Sequence, residues 1–142
     1  MQFAVIISNP PYMGSKHFSK ELREWSAKNY PMTKGDLYTM FIERCIEITK
    51  PLGVCSMLTP QNWMFLSSSE KLRLHILANA PIINMLHLGD GVFGGGAVVN
   101  VTAFTLTPGG NKERVGKFLR LVDVPPKDKE STAYWNIRCQ AR

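Results

Sequence analysis

The sequence is poor in cysteine: Cys45, Cys55 and Cys139 are the only three in 142 residues, and no two form a Cys-x-x-Cys pair. An odd, scattered set excludes a disulfide framework and points to a reducing compartment. Histidine is as scarce. His17, His75 and His87 have neither ligand spacing nor Cys or carboxylate partners in sequence, so no metal is expected. No apolar run reaches the roughly 18 residues of a membrane span. The opening Met-Gln-Phe-Ala-Val-Ile-Ile-Ser-Asn-Pro has no basic leader and no cleavage site, so no signal peptide is expected. The expectation is a cytoplasmic protein with no membrane partner. Internal repeats and low-complexity tracts are lacking too. Acidic residues are in the minority, 11 Asp plus Glu against 17 Lys plus Arg, for a formal charge of +6. That excess suits a polyanionic partner such as nucleic acid. With 44% apolar and 20% charged residues the composition is ordinary and excludes a disordered or collagen-like chain.

What is there is alternation. Phe3–Ser8 is a continuous apolar run rich in β-branched residues, the pattern of a strand buried on both faces of a parallel sheet. Pro10 and Pro11 end it, because neither can donate to a ladder. A helix is expected over His17–Lys28 with Phe18, Leu22 and Trp25 on one face. Asp36 is the expected N-cap of a second helix, with a wide apolar face through Leu37, Met40, Phe41, Ile42, Cys45, Ile46 and Ile48, stopped at Pro51-Leu-Gly53. Val54–Thr59 reads as a second buried strand. Ser67 and Glu70 have capping-box spacing and open a helix to Asn79. Pro81 breaks that helix before a third strand, Ile82–Leu88. A glycine-rich loop, Gly89–Gly96, leads to a fourth strand, Val98–Leu106, and Val115–Val124 reads as a weaker last one.

The order is α/β. It fits one domain over residues 1–124, the carboxyl half of a doubly wound, Rossmann-like sheet. The last two long strands have no helix between them and are expected as an antiparallel hairpin on one edge. Residues 125–142 are polar and read as a tail or linker.

The informative residues are Asn9-Pro10-Pro11-Tyr12, directly after the first strand. Ligands of open α/β sheets bind beyond the carboxyl ends of strands. Two prolines stiffen the loop and bias Asn9 to an extended backbone. Asn9 offers a carboxamide oxygen, Pro10 a carbonyl, and Tyr12 a flat face. Such a set can hold an exocyclic –NH₂ between two acceptors and clamp its ring. Two hydrogen bonds accepted from a conjugated amine draw its lone pair out of conjugation, which is what alkylating a poor nucleophile requires. An Asn or Asp, two prolines and an aromatic occur together by chance in such a chain with a frequency on the order of 10⁻³.

Ile6-Ile7-Ser8-Asn9-Pro10-Pro11-Tyr12 resembles the active-site motif of N6-adenine DNA methyltransferases. The resemblance continues through Asp36-Leu-Tyr-Thr-Met-Phe-Ile-Glu-Arg44, Gly53–Pro60 with Asn62-Trp63-Met64-Phe65, and Ser68–Arg73, then from Val92-Phe93 to Phe104-Thr105-Leu106. It is to the large methyltransferases of BREX-type phage-defence systems and of fused restriction–modification enzymes. The resemblance implies S-adenosylmethionine as methyl donor, with Asn9, Pro10, Pro11 and Tyr12 catalytic. Asn9 and Pro10 would bind the N6 amine and border the cofactor, while Tyr12 would stack on an adenine flipped out of double-stranded DNA. Ala4 stands where relatives often carry Asp. The family's glycine-rich cofactor turn and its acidic ribose-binding residue cannot be placed before Asn9. The chain is therefore expected to be a fragment, working with an N-terminal half and a target-recognition domain that lie outside it.

Gly89-Asp-Gly91-Val-Phe-Gly94 spells a dinucleotide fingerprint, but the segment after it is β-prone and no acidic residue lies at the right offset. It reads as a hairpin loop. Lys16, Lys20, Arg23, Lys28 and Lys34, interleaved with Phe18, Trp25 and Tyr30, suit a phosphate-contacting flap. They equally fit a solvated helix face balanced by Glu21 and Glu24. Trp63 and Phe65, in a strand-exit loop, are candidates for lining the target pocket, although core packing is the more frequent fate of such residues. Two other functions remain open: an RNA or protein-glutamine N-methyltransferase, since a carboxamide is also a poor conjugated amine, and a non-catalytic remnant that only binds DNA or a partner. The long basic insert before Asp36 and the Asn62–Phe65 segment favour DNA.

Overall fold

The structure, a computed structural model, describes residues 1–93, 99–113 and 115–139, with Trp135 and residues 137–139 by backbone alone. Five strands, β1 (Phe3–Ser8), β2 (Thr49–Pro60), β3 (Ile82–Gly89), β4 (Val101–Leu106) and β5 (Lys117–Arg120), form one mixed sheet in the order β1-β2-β4-β3-β5. Four helices accompany them: α1 (Lys20–Asn29), α2 (Leu37–Ile48), α3 (Glu70–Asn79) and α4 (Lys129–Cys139).

β1 runs parallel to β2 and is the edge strand. It is not buried on both faces, as its composition suggested: Val5 and Ile7 are 60% and 82% exposed. Among the described residues β1 packs chiefly on β2, so its β-branched residues on that face stand open. β2 begins five residues earlier than expected because the chain passes from α2 straight into it. The pairing then jumps from Phe3↔Thr49 to Val5↔Val54. That irregularity needs Leu52 at φ 65° and a glycine next to it, since a Cβ on Gly53 would stand 2.7 Å from the Ala4 carbonyl oxygen.

β3 and β4 are antiparallel, as expected. They do not end the sheet. β4 inserts between β2 and β3, antiparallel to both, and β5 pairs with the outer side of β3 in parallel. Burial explains the order: Val101, Thr102, Phe104 and Leu106 are all buried, whereas β5 presents exposed Lys117 and Arg120, as edges do.

The core lies between the sheet and α2 with α3. Ile42, Leu72 and Ile76 from the helices meet Cys55, Met57, Phe104 and Leu106. Phe104 sits at its centre, 2% exposed, with its ring 5.0 Å from that of Trp63. Phe104→Ala is expected to cost about 3–5 kcal/mol, a large part of the stability of such a domain. A urea midpoint shift measured by circular dichroism, at unchanged slope, checks it.

Three local expectations change. α1 starts at Lys20 because Ser19 caps it, its Oγ accepting from the Leu22 N–H at 3.2 Å. Trp25 is 51% exposed, and the helix buries Ser26 instead. The Ser67–Glu70 capping box does not form; Ser67–Ser69 make a 3₁₀ turn into α3 with no side-chain cap. The segment read as a polar tail or linker holds a 3₁₀ turn, Pro126–Asp128, and helix α4. No helix among the described residues is long and apolar enough to cross a membrane.

Candidate active site

The loop leaving β1 is tied at both ends. Asn9 and Pro11 are exposed, Pro10 is buried and Tyr12 is half-buried. The Tyr12 hydroxyl lies 2.8 Å from Asn9 Oδ1 and 3.2 Å from the Leu58 carbonyl oxygen on β2, and its one proton serves these two acceptors. Burial holds the Tyr12 phenol above its ordinary pKa, so it remains a donor at neutral pH. The carboxamide of Asn9 is thereby oriented across the strand end. Asn9, Ile7 and Ser8 also border a groove of about 300 Å³ floored by Ser56, Leu58 and Ala103 on the open face of the sheet.

Asp36 fastens the other end of the loop. As N-cap of α2 it accepts from the Tyr38 N–H at 3.3 Å, and the same oxygen accepts from the Met13 N–H at 3.2 Å. Burial raises the Asp36 pKa, and these backbone donors partly offset the rise. Leu37 N–H to the Met13 carbonyl and Ser15 N–H to the Gly35 carbonyl, 3.0 and 2.9 Å, close the base of the excursion between them. The cap was legible in sequence; its hold on Met13 was not, because that contact spans 23 residues.

An aromatic cluster surrounds Tyr12. Tyr38 meets it in a T-shaped arrangement, at a ring-centroid distance of 6.2 Å and an interplanar angle of 82°. Phe93, from the glycine-rich loop, lies 6.4 Å away and tilted by 56°. Burial and the Asp36 carboxylate push Tyr38 up to about 12. Sequence reasoning missed Phe93 as a site residue; an aromatic in an otherwise glycine-rich loop was the available signal. Gly94, the last residue of the rejected fingerprint, lies outside the described residues. The next described element is strand β4.

Not every candidate reaches the site. Trp63 is 2% exposed, with its Nε1 donating to Thr59 Oγ1 at 3.2 Å. It packs the core because the 3₁₀ turn after β2 carries it inward, and the exposed Asn62 lines the neighbouring cavity of about 320 Å³ with Asp36 and Tyr38. Lys16 and Lys34 meet across a groove of about 400 Å³ with Arg23, whose Nη2 donates to the Ser15 carbonyl. Lys20 is exposed on α1 and does not line that groove. His87 Nε2 lies 2.6 Å from Gln61 Oε1, and burial together with the Arg120 charge pulls its pKa down, favouring the neutral ring. Among the described residues no three His, Cys, Asp or Glu side chains form a metal-holding group.

The fold is that of the S-adenosylmethionine-dependent methyltransferases. It superimposes with a TM-score of 0.68, at 18% identity, on a Listeria monocytogenes protein described as a class I member, covering 94% of this chain and 41% of that one. Residues 1–93 match the Eco57I restriction-modification methylase family, and the chain belongs to that family. It is 41% identical over 135 residues to the adenine-specific methyltransferase PglX of Lacticaseibacillus casei and 35% identical over 140 residues to the adenine-specific methyltransferase BrxX of Escherichia coli. Those alignments take in 94% and 97% of this chain but 11% and 12% of the relatives, so the chain spans about a tenth of their length.

Proposed function

We propose that this chain is the carboxyl half of the catalytic domain of a DNA adenine N6-methyltransferase of the restriction–modification or BREX phage-defence type. The observation that carries the reading is the Asn9–Tyr12 loop: a stiff strand exit with an oriented carboxamide and an aromatic cluster around Tyr12. The adenine amine, taken out of the duplex, donates one hydrogen bond to Asn9 Oδ1 and one to the Pro10 carbonyl, while Tyr12 and Phe93 hold the ring. Loss of conjugation leaves the nitrogen lone pair free to form the new N–C bond. Asn9 is neutral and a poor proton sink, so the proton on the methylated nitrogen departs to solvent.

S-adenosylmethionine, when bound, supplies a methyl group on a sulfonium sulfur that leaves as a neutral thioether. Asn9, which borders the groove at the edge strand β1, fits one border of its site, with the buried Pro10 next to it in the chain. The ribose-holding acid and glycine turn belong to the N-terminal half in this reading. Lys16, Arg23 and Lys34 supply phosphate contacts, and a separate domain reads the target sequence.

The test uses the complete enzyme, labelled S-adenosylmethionine and three acceptors: duplex DNA, RNA and a glutamine-containing peptide. Labelled N6-methyladenine in the DNA supports the reading, and label confined to RNA or peptide replaces it. Tyr12→Phe keeps the ring and is expected to retain most turnover. Tyr12→Ala is expected to lose base capture, since one stacked base contributes about 1–3 kcal/mol. A 2-aminopurine base at the target position should brighten with the Phe variant and stay dark with the Ala variant.

A further inference from the structure

The glycine-rich loop that carries Phe93 is held from outside the sheet. Lys129, the first residue of α4, is 6% exposed, although lysine side chains are rarely buried. Its Nζ donates to the carbonyl oxygens of Leu88, near the end of β3, and Asp90, at the start of the loop, with Asp90 Oδ1 at 4.0 Å. The ammonium thus bonds one carbonyl at the irregular end of β3 and one just past it, and its charge is offset by those dipoles and one carboxylate. The segment entering α4 also touches the loop directly. Gly91 has φ +70°, and a Cβ there would stand 2.5 Å from Pro126 Cγ. Asp90 is three residues from Phe93, whose ring faces Tyr12.

We propose that Lys129 is a positioning residue for base capture: it fixes the direction in which the chain leaves β3 and so sets Phe93 opposite Tyr12. The inference rests on the adenine-binding reading of the Asn9–Tyr12 loop, and it gives a role to a segment that looks in sequence like a polar tail. A lysine suits the task because one ammonium has three donors and can bridge carbonyls two residues apart. The start of the helix then works as a strap on the exit of β3, not as a linker.

The experiment compares Lys129→Met, Lys129→Arg, Phe93→Ala and the double variant Lys129→Met/Phe93→Ala in the complete enzyme. Lys129→Met keeps most of the side-chain stem and removes the donors. Amide hydrogen exchange over Asp90–Phe93 should then quicken at least about tenfold, while core amides of β2 and β4 stay protected. Brightening of 2-aminopurine at the target should fall at least about fivefold, the low end for one lost stacking contact. Lys129→Arg should recover much of it. In the Phe93→Ala background Lys129→Met should add nothing, because both act on the same ring. Full additivity, or unchanged exchange at Asp90–Phe93, overturns the proposal. Quicker exchange with a target base that stays dark in the wild type keeps the strap and overturns the adenine reading instead. Should Lys129→Met fail to fold, Gly91→Ala probes the same contact from the loop side. It should reproduce the loss of brightening, and full brightening by a folded Gly91→Ala enzyme overturns the proposal.

Discussion

Asn9→Ala in the complete enzyme is expected to lower turnover by about two to four powers of ten, the range seen when one preorganised polar group at a reacting centre is removed. The substitution takes away Oδ1, which lies 2.8 Å from the Tyr12 hydroxyl, and leaves both prolines and the aromatic cluster in place. Tyr12 keeps a second acceptor, the Leu58 carbonyl oxygen at 3.2 Å, so its ring stays anchored. Affinity for DNA should change by less than about threefold, because phosphate contacts supply most of it. The loss therefore belongs in kcat, with KM for DNA nearly constant. Single-turnover methylation with labelled S-adenosylmethionine separates the two. Near-normal turnover by Asn9→Ala would remove the carboxamide from the mechanism. Equal losses in binding and turnover would make Asn9 a structural residue of the loop.

Why the Asn9–Tyr12 strand exit was legible in sequence and the Lys129 contact was not comes down to the range of the interactions. The Asn9–Tyr12 loop is specified locally: a β-branched run, then two residues that cannot extend a ladder, then an aromatic. The same holds for the Asp36 cap and for α2 behind it, whose apolar spacing contains the buried set Met40, Ile42, Cys45 and Ile46, while Phe41, expected on that face, stands 40% exposed. Sheet order is different. Nothing within Val101–Leu106 says that it slots between β2 and β3, since that choice is made by Phe104 meeting Met57 on one side and Met85 on the other. The exposure of β1 also escapes a local reading, because burial depends on what covers the open face and not on the strand's own composition. The places of Trp63 and Phe93 escape a local reading for the same reason. Both are aromatics in strand-exit segments, and only the tertiary structure shows that one enters the core and the other meets Tyr12. Lys129 was invisible because a lysine in a polar stretch is ordinarily solvated, and the two carbonyls that receive it lie 41 and 39 residues away.

The 142-residue chain by itself is expected to bind S-adenosylmethionine no more tightly than about millimolar, some −4 kcal/mol, and to methylate nothing. A doubly wound sheet closes such a site with a glycine turn and an acidic residue at the ends of neighbouring strands. In this chain the strand that carries Asn9 is an edge: β1 pairs with β2 alone, and Val5 and Ile7 stand open beside the groove that Asn9 borders. Asn9 and Pro10 can then touch one side of the cofactor, while most of its polar groups stay in water. The open apolar edge also favours pairing between copies, so self-association is expected at high concentration. Weak DNA binding through Lys16, Arg23 and Lys34 should survive, with an affinity that falls steeply as salt rises. Titration calorimetry with S-adenosylmethionine, beside a salt series of DNA binding and sedimentation at several concentrations, checks each part. Micromolar binding of S-adenosylmethionine by the monomer would mean that the groove beside Asn9, or the cavity lined by Asp36, Tyr38 and Asn62, holds the cofactor unaided. The division of labour between two halves of a catalytic domain would then be wrong, and Asp36, half-buried with a raised pKa, would be the first carboxylate to replace.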